Sequence, residues 1–260
     1  MNSGATGGTE GGASGGGSTG AYSATVQAAI VKDAKDWTLD EQEAVAEDVA
    51  AKGEASPAYA KAKAAMDAGT KFSVKLTNGK TLEYRIIGID HDDLADGSGK
   101  AGLTFEATND ALDGPIGHPM NATDTNAGGW EKSELRGRFN SGDLWSLLPS
   151  ELQSKAKAVK KMTDNKGGGS AGTPSATTDK VFLLSTTEVY GDIPFTPIPE
   201  GFQYEYYKFK GDSGASSSYN HWPRSVHPSS STDFRYVGSN GAWHSDYATY
   251  FYYVFPAWCF

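Results

Sequence analysis

Cysteine is almost missing from this chain, which has one thiol, Cys259, in 260 residues. A single cysteine cannot close an internal disulfide or furnish a multi-cysteine zinc or iron–sulfur site. Long apolar runs are absent too. No stretch approaches the ~20 residues that cross a bilayer, so a soluble chain without membrane insertion is expected. The opening MNSGATGGTE has neither a basic cluster nor an apolar segment, which argues against a secretory signal. Positive charge is in deficit, with 23 Lys+Arg against 32 Asp+Glu and a net charge of −9. Nucleic acid and anionic membrane surfaces repel such a chain, so neither is expected as its main partner.

A more local absence is more informative. From Asp212 to Phe260 there is no Lys, Glu, Gln, Met, Leu or Ile. Lys and Glu together should supply about six of 49 residues in an ordinary sequence. In their place stand ten Ser, six Tyr, four Phe, three Trp and three His. Two physical explanations compete: a Tyr/Ser-rich sheet terminus whose rings pack a core, or a recognition surface. Tyrosine gives wide amphipathic contact with few torsions to freeze, while Ser, Asn and His add adaptable hydrogen bonds. Core packing gives no reason to exclude Leu and Ile. Lys, Glu, Gln and Met are residues that no codon ending in a pyrimidine can encode. The recognition surface is therefore favoured.

The rest of the chain divides by composition. Residues 1–20 hold nine glycines and almost nothing to bury, so a flexible leader is expected. Residues 21–70 read as a small helical adaptor. Thr38 and Glu41 have capping-box spacing, Gly53 ends the first helix, Ser56-Pro57 opens a second with Pro57 at its first position, and Gly69 closes it. From Lys71 the period changes. Phe72, Val74 and Leu76 alternate with polar residues, Asn78-Gly79 supplies a tight turn, and Leu82, Tyr84, Ile86 and Ile87 continue, which predicts a β-hairpin. Residues 103–107 predict a third strand, 130–139 and 144–157 short helices restarting at Pro149-Ser150, 158–162 a strand, 164–179 a loop and 181–184 an apolar strand. Residues 71–260 are thus expected to form one α+β domain.

Several motifs resemble a known family. Trp222-Pro223-Arg224-Ser225, Phe234-Arg235-Tyr236-Val237, Gly241 and Val254-Phe255-Pro256-Ala257-Trp258-Cys259-Phe260 look like the C-terminal framework of DUF6273-type proteins. They are also similar to the variable proteins of diversity-generating retroelements from gut bacteria and their phages. Upstream, Trp130-Glu131-Lys132-Ser133-Glu134-Leu135-Arg136, Phe139-Asn140 and Phe182-Leu183-Leu184-Ser185 with Glu188 extend the resemblance over roughly 71–260. Pro223 departs from the family's usual Leu and is expected to bend the strand locally. The resemblance implies a C-type-lectin-like fold, related to formylglycine-generating enzymes, with a binding face within about 212–260. Trp222, Arg224, Phe234, Val237, Val254 and Pro256 would be framework. Tyr219, Asn220, His221, His227, Ser229, Ser230, Asp233, Arg235, Tyr236, Ser239, Asn240, Trp243, His244, Asp246, Tyr250, Tyr252 and Tyr253 would be displayed for ligand binding.

Enzyme signals are weak beside this. Gly211-Asp212-Ser213-Gly214 copies the nucleophile loop of chymotrypsin-like proteases, but His91 and His118 lack that family's surroundings. Formylglycine-generating chemistry depends on cysteines, and Cys259 reads instead as a small buried residue. Asp90-His91-Asp92-Asp93 with Asp96-Gly97 is rich in oxygen ligands but fails EF-hand spacing, so a solvated loop is expected and no metal. Neither catalytic residues nor a cofactor are expected. The favoured function is non-catalytic recognition of a protein or cell-surface macromolecule, in a phage tail fibre or a bacterial surface adhesin. Virion assembly or homo-oligomerisation would be possible partners in that setting. The alternatives are a structural virion or surface protein without a specific ligand, and an enzyme on the same scaffold.

Overall fold

The first described elements are helices, because their start and stop signals are written locally. The computed structural model describes residues 23–191 and 199–260, and the expected leader over 1–20 lies outside them. Helix α1 (Ala24–Val31) starts where the Ser23 side chain accepts from the Val26 N–H. Helix α2 (Leu39–Lys52) carries the full capping box: the Thr38 side chain accepts from Glu41 N–H, and the Glu41 carboxylate takes the Thr38 N–H. Gly53, at φ 55°, ends it. Helix α3 (Tyr59–Ala68) stops at left-handed Gly69. It starts two residues later than Pro57, because Ser56 turns the chain first and caps the Ala58 N–H at 3.2 Å.

The central sheet follows the alternating pattern. Strands β1 (Phe72–Lys75) and β2 (Thr81–Ile89) form the expected hairpin around Gly79, and β3 (Leu103–Ala107) pairs antiparallel with β2. Four short helices come next: α4 (Gly129–Lys132), α5 (Glu134–Asn140), α6 (Asp143–Leu147) and α7 (Ser150–Lys155). Strands β4 (Val159–Thr163) and β5 (Ser175–Asp179) make a separate antiparallel pair. The end of the expected 164–179 loop is therefore a strand; Thr177 and Thr178 are β-branched and suit it despite their polarity. Strand β6 (Val181–Phe182) is followed by α8 (Thr186–Tyr190) and α9 (Glu205–Lys210), and Gly211–Gly214 forms a single 3₁₀ turn. Strands β7 (Asp233–Val237) and β8 (Trp243–Tyr247) form a second hairpin.

The last strand, β9 (Ala257–Cys259), returns to the middle of the central sheet, whose order is β1-β2-β3-β9-β6. Trp258 pairs with Phe105 on one side and Val181 on the other. Its ring stacks on Phe105 at 6.1 Å and meets Tyr84 edge-on at 5.0 Å, and Phe105 also touches Phe72 and Phe260. The architecture is α+β, with short helices and small antiparallel sheets.

Helices α1–α3 do not stand apart as an adaptor. Their buried faces, with Val26, Val45, Val49 and Met66, belong to the same core as the sheet. The Tyr84 hydroxyl donates to Gln42 Oε1 at 3.0 Å, and the chain at Gly102 passes so close to α2 that a Cβ there would lie 1.8 Å from the Ala46 carbonyl oxygen. Among the described residues no helix is long and apolar enough to cross a membrane.

Candidate ligand-recognition face

The face is held from below by a buried chain of charges. Arg224 is fully enclosed, and all its donors are used. Its Nε donates to Thr163 Oγ1 at 2.7 Å, and its two Nη atoms bond the Glu188 carboxylate, the Leu183 carbonyl at 2.8 Å and the Met162 carbonyl at 2.9 Å. Glu188 is fixed by its own capping box with Ser185 at the start of α8. Lys161 lies 2.6 Å from Glu188 and 2.6 Å from Asp92, and Asp92 also accepts from Tyr204 and Thr104. Two cations and two anions thus alternate in the interior. Burial alone would raise the carboxyl pKa of Asp92 and of Glu188, but Lys161 beside the first, and Arg224 with Lys161 beside the second, hold both below the ordinary range. Asp92 therefore belongs to the core and not to a solvated loop, and the pairing with Lys161 explains how it can be buried. Among the described residues no group of three or more His, Cys, Asp or Glu is arranged to hold a metal ion. Cys259 is buried beside Thr104 and Asp92.

The remaining framework residues tie the face to this base. Trp222 donates its Nε1–H to the His118 carbonyl at 2.8 Å, and Ser225 donates to the buried Glu200 carboxylate. Burial, only partly offset by Arg224, raises the Glu200 pKa. Phe234, Val237, Val254 and Pro256 are buried. Pro223 bends no strand: residues 222–225 lie between isolated bridges at His221 and Val226. Asn126 donates to the carbonyls of Ser230 and Asp233, both at 2.8 Å, and Met120 N–H bonds the Ala248 carbonyl. The upstream motif is also a brace. Trp130 Nε1 and Arg136 Nε meet the buried Asp179 carboxylate at 3.2 and 2.6 Å, and Asn140 donates to the Val181 carbonyl at 2.9 Å.

Above this frame stand the candidate display residues. Ser229, Ser239, Asn240, His244 and Tyr250 are exposed. Tyr219, Asn220, His221, His227, Ser230, Asp233, Tyr236, Trp243, Asp246, Tyr252 and Tyr253 are half-buried. Cross-strand pairing of Tyr236 with His244 aligns their rings at 5.1 Å. Tyr252 stacks on the other side of this pair, 4.5 Å from Tyr236, and meets Trp222 edge-on at 4.7 Å. A continuous aromatic stack thus runs from the solvent at His244 to the buried Trp222. The Tyr252 hydroxyl donates to Asp246 at 2.7 Å, and burial together with that bond raises its pKa. Tyr219 and Tyr253 form a second stack at 4.0 Å.

Two assigned positions behave as scaffold. Arg235 is 6% exposed; its guanidinium sits 4.7 Å from the Trp243 ring centroid and donates to Ser245 at 3.0 Å. It is covered because β7 packs on both faces, with Phe234 on one side and Arg235 and Val237 on the other. His221 bridges the backbones at Val237 and Tyr253, and burial lowers its pKa to about 4, so it is neutral at physiological pH. Conversely, Tyr247 and Phe251, which sequence reasoning left out, are 47% and 50% exposed, and Tyr247 meets Tyr250 edge-on at 5.7 Å. The buried Ala248 between them was the available signal: a small residue among rings marks where the chain touches its support.

Fold and face together define an α+β domain in which an aromatic, hydroxyl-rich surface is mounted on an internally charge-paired frame. A family model described as Domain of unknown function (DUF6273) matches residues 108–259, more than half of the chain, and the chain belongs to that family. No curated protein and no solved structure matches it.

Proposed function

We propose that residues 212–260 carry a non-catalytic recognition face for a protein or cell-surface macromolecule. In this account the scaffold is C-type-lectin-like, the chain is a variable protein of the diversity-generating-retroelement kind, and it serves in a phage tail fibre or a bacterial surface adhesin. One observation carries the reading: buried and solvent-reaching residues interleave along the tract. Trp222, Arg224, Phe234, Val237, Val254 and Pro256 are buried, while most positions between them reach solvent. Such a division lets surface side chains change while stability is drawn from beneath. Aromatic stacks that are already formed lose little freedom on binding, which favours affinity from Tyr and Trp anchors.

The test is binding of the purified protein to intact bacterial cells. Replacing Trp243, His244 and Tyr250 with Ala should cut cell binding at least tenfold while the thermal midpoint stays within a few degrees. Loss of the cooperative transition in that variant would instead make these rings part of the core, and unchanged binding would place recognition elsewhere.

A further inference from the structure

The buried chain of charges brings one amine against one carboxyl. Strand β4 alternates, with Val159, Lys161 and Thr163 buried and Lys160 and Met162 exposed. The segment after β2 runs beside it. Lys160 N–H bonds the Asp93 carbonyl at 2.9 Å, Ala95 N–H bonds the Ala158 carbonyl at 2.9 Å, and Leu94 bridges Val159. Backbone pairing on both sides thus fixes Asp92 against Lys161, with Nζ 2.6 Å from Oδ1. Lys161 is the one lysine buried among the described residues.

Three features go beyond what an ion pair requires. A second carboxylate oxygen, Glu188 Oε1, lies 2.6 Å from the same Nζ, where it can take a proton from it. Two hydroxyls converge on Asp92 Oδ2, Thr104 at 2.6 Å and Tyr204 at 2.8 Å, and would steady that oxygen as the carboxyl carbon is attacked. The side chains of Lys161, Asp92 and Glu188 are no more than 3% exposed, and the Phe182 ring centroid lies 4.3 Å from Nζ, so water is kept away.

Burial alone would lower the Lys161 pKa, but Asp92 and Glu188 raise it, so the resting pair is ionised. One proton passed along the 2.6 Å contact gives an amine and a carboxylic acid, the neutral forms that burial favours. Glu188 does not take the place of Asp92, because both its oxygens are bonded to Arg224, which keeps its charge and holds Glu188 as the anion.

We infer that Lys161 and Asp92 condense into an intramolecular isopeptide bond, with Glu188 as the proton carrier. Nζ attacks Cγ of Asp92, and Glu188 takes a proton from Nζ and hands it to the leaving oxygen. The Nζ–Cγ bond forms, the Cγ–Oδ1 bond breaks, and Oδ1 departs as water with two protons of the former ammonium. Oδ2 remains as the amide carbonyl, and Glu188 ends as it began. Two charges leave the interior, while the Arg224–Glu188 pair stays balanced. The bond ties the segment after β2 to β4 across 69 residues. It does not depend on the recognition reading, because all three residues lie outside the 212–260 tract.

The test is the intact mass of the full chain, purified folded and then denatured. Most of the parent should be lighter than its sequence mass by one water. Protease digestion should yield a branched peptide joining Asp92 to Lys161. Hydroxylamine, which cleaves esters and thioesters such as Thr104, Tyr204 or Cys259 would form with Asp92, should leave it intact. Lys161→Met should keep its full mass, and Glu188→Gln should show at least a tenfold smaller cross-linked share in its folded fraction. A parent at full mass, a water lost elsewhere in the chain, release by hydroxylamine, the same loss in Lys161→Met, or an undiminished cross-link in folded Glu188→Gln would each overturn the assignment. The parent's mass and its branched peptide decide the matter even should neither variant fold.

Discussion

Arg224 and Glu188 face each other through two hydrogen bonds deep in the protein, joining the segment that carries the aromatic face to the first turn of α8. The pair is enclosed on all sides, so neither charge can turn to water if its partner is lost. Removing one member of a buried pair typically costs about 3–5 kcal/mol. Arg224→Met and Glu188→Gln should each lower stability by about that much in urea unfolding. Arg224→Lys should not restore it, because a single ammonium cannot reach Thr163, Leu183, Met162 and Glu188 together.

His221 sets a pH dependence. Its folded pKa of about 4 lies below the ordinary value of 6.5, so the unfolded chain binds a proton that the folded chain refuses. Stability should fall as pH drops from about 6.5 to 4, by about 2–3 kcal/mol. His221→Asn should flatten that slope, as measured by unfolding free energy against pH.

Asp113 acts in the opposite direction. Burial pushes its carboxyl up to about 7, its Oδ2 accepts from the Val254 N–H at 3.3 Å, and Oδ1 has no hydrogen-bond partner among the described residues. His118 lies 3.5 Å away and is itself pushed down by burial, so both side chains disfavour charge. The folded chain holds the Asp113 proton over the range where the unfolded chain has lost it. Its contribution therefore declines as pH rises from about 4 to 7, by about 2–4 kcal/mol. Asp113→Asn keeps an acceptor for Val254 and should be more stable than the parent at pH 8, with no gain at pH 4.

The helices α1–α3 are part of the fold. Gly102→Ala would drive a methyl group into the Ala46 carbonyl, and it should cost at least about 3 kcal/mol. A chain beginning at Lys71 should lose its cooperative thermal transition, because Tyr84 and Leu103 would lose their cover.

Much of this was legible where a signal is local. Thr38 with Glu41, and Asn78 with Gly79, encode a cap and a turn within a few residues, and both formed. The polar strand Ser175–Asp179 was not legible, because its pairing with β4 is set by tertiary contact and its threonines look like loop. Asp92 was misread for the same reason: its partner Lys161 is 69 residues away. The framework positions around Trp222 and Arg224 could be named from the family resemblance, but the burial of Arg235 could not, since strand alternation does not reveal that β7 has buried residues on both of its faces. The helical segment looked separable because its alanines bury little by themselves; their close approach to β3 is visible only in three dimensions.

The central claim is that the exposed residues can be exchanged without disturbing the frame. The direct measurement is the thermal midpoint of a set of variants randomised together at Ser229, Ser239, Asn240, His244 and Tyr250, beside the single change Trp222→Ala. Exposed substitutions usually shift stability by no more than about 0.5 kcal/mol each, whereas removing a buried indole costs about 3–5 kcal/mol. The account predicts that most randomised variants melt cooperatively within several degrees of the parent and that Trp222→Ala does not. Broad loss of folding across the randomised set, with Trp222→Ala tolerated, would contradict it.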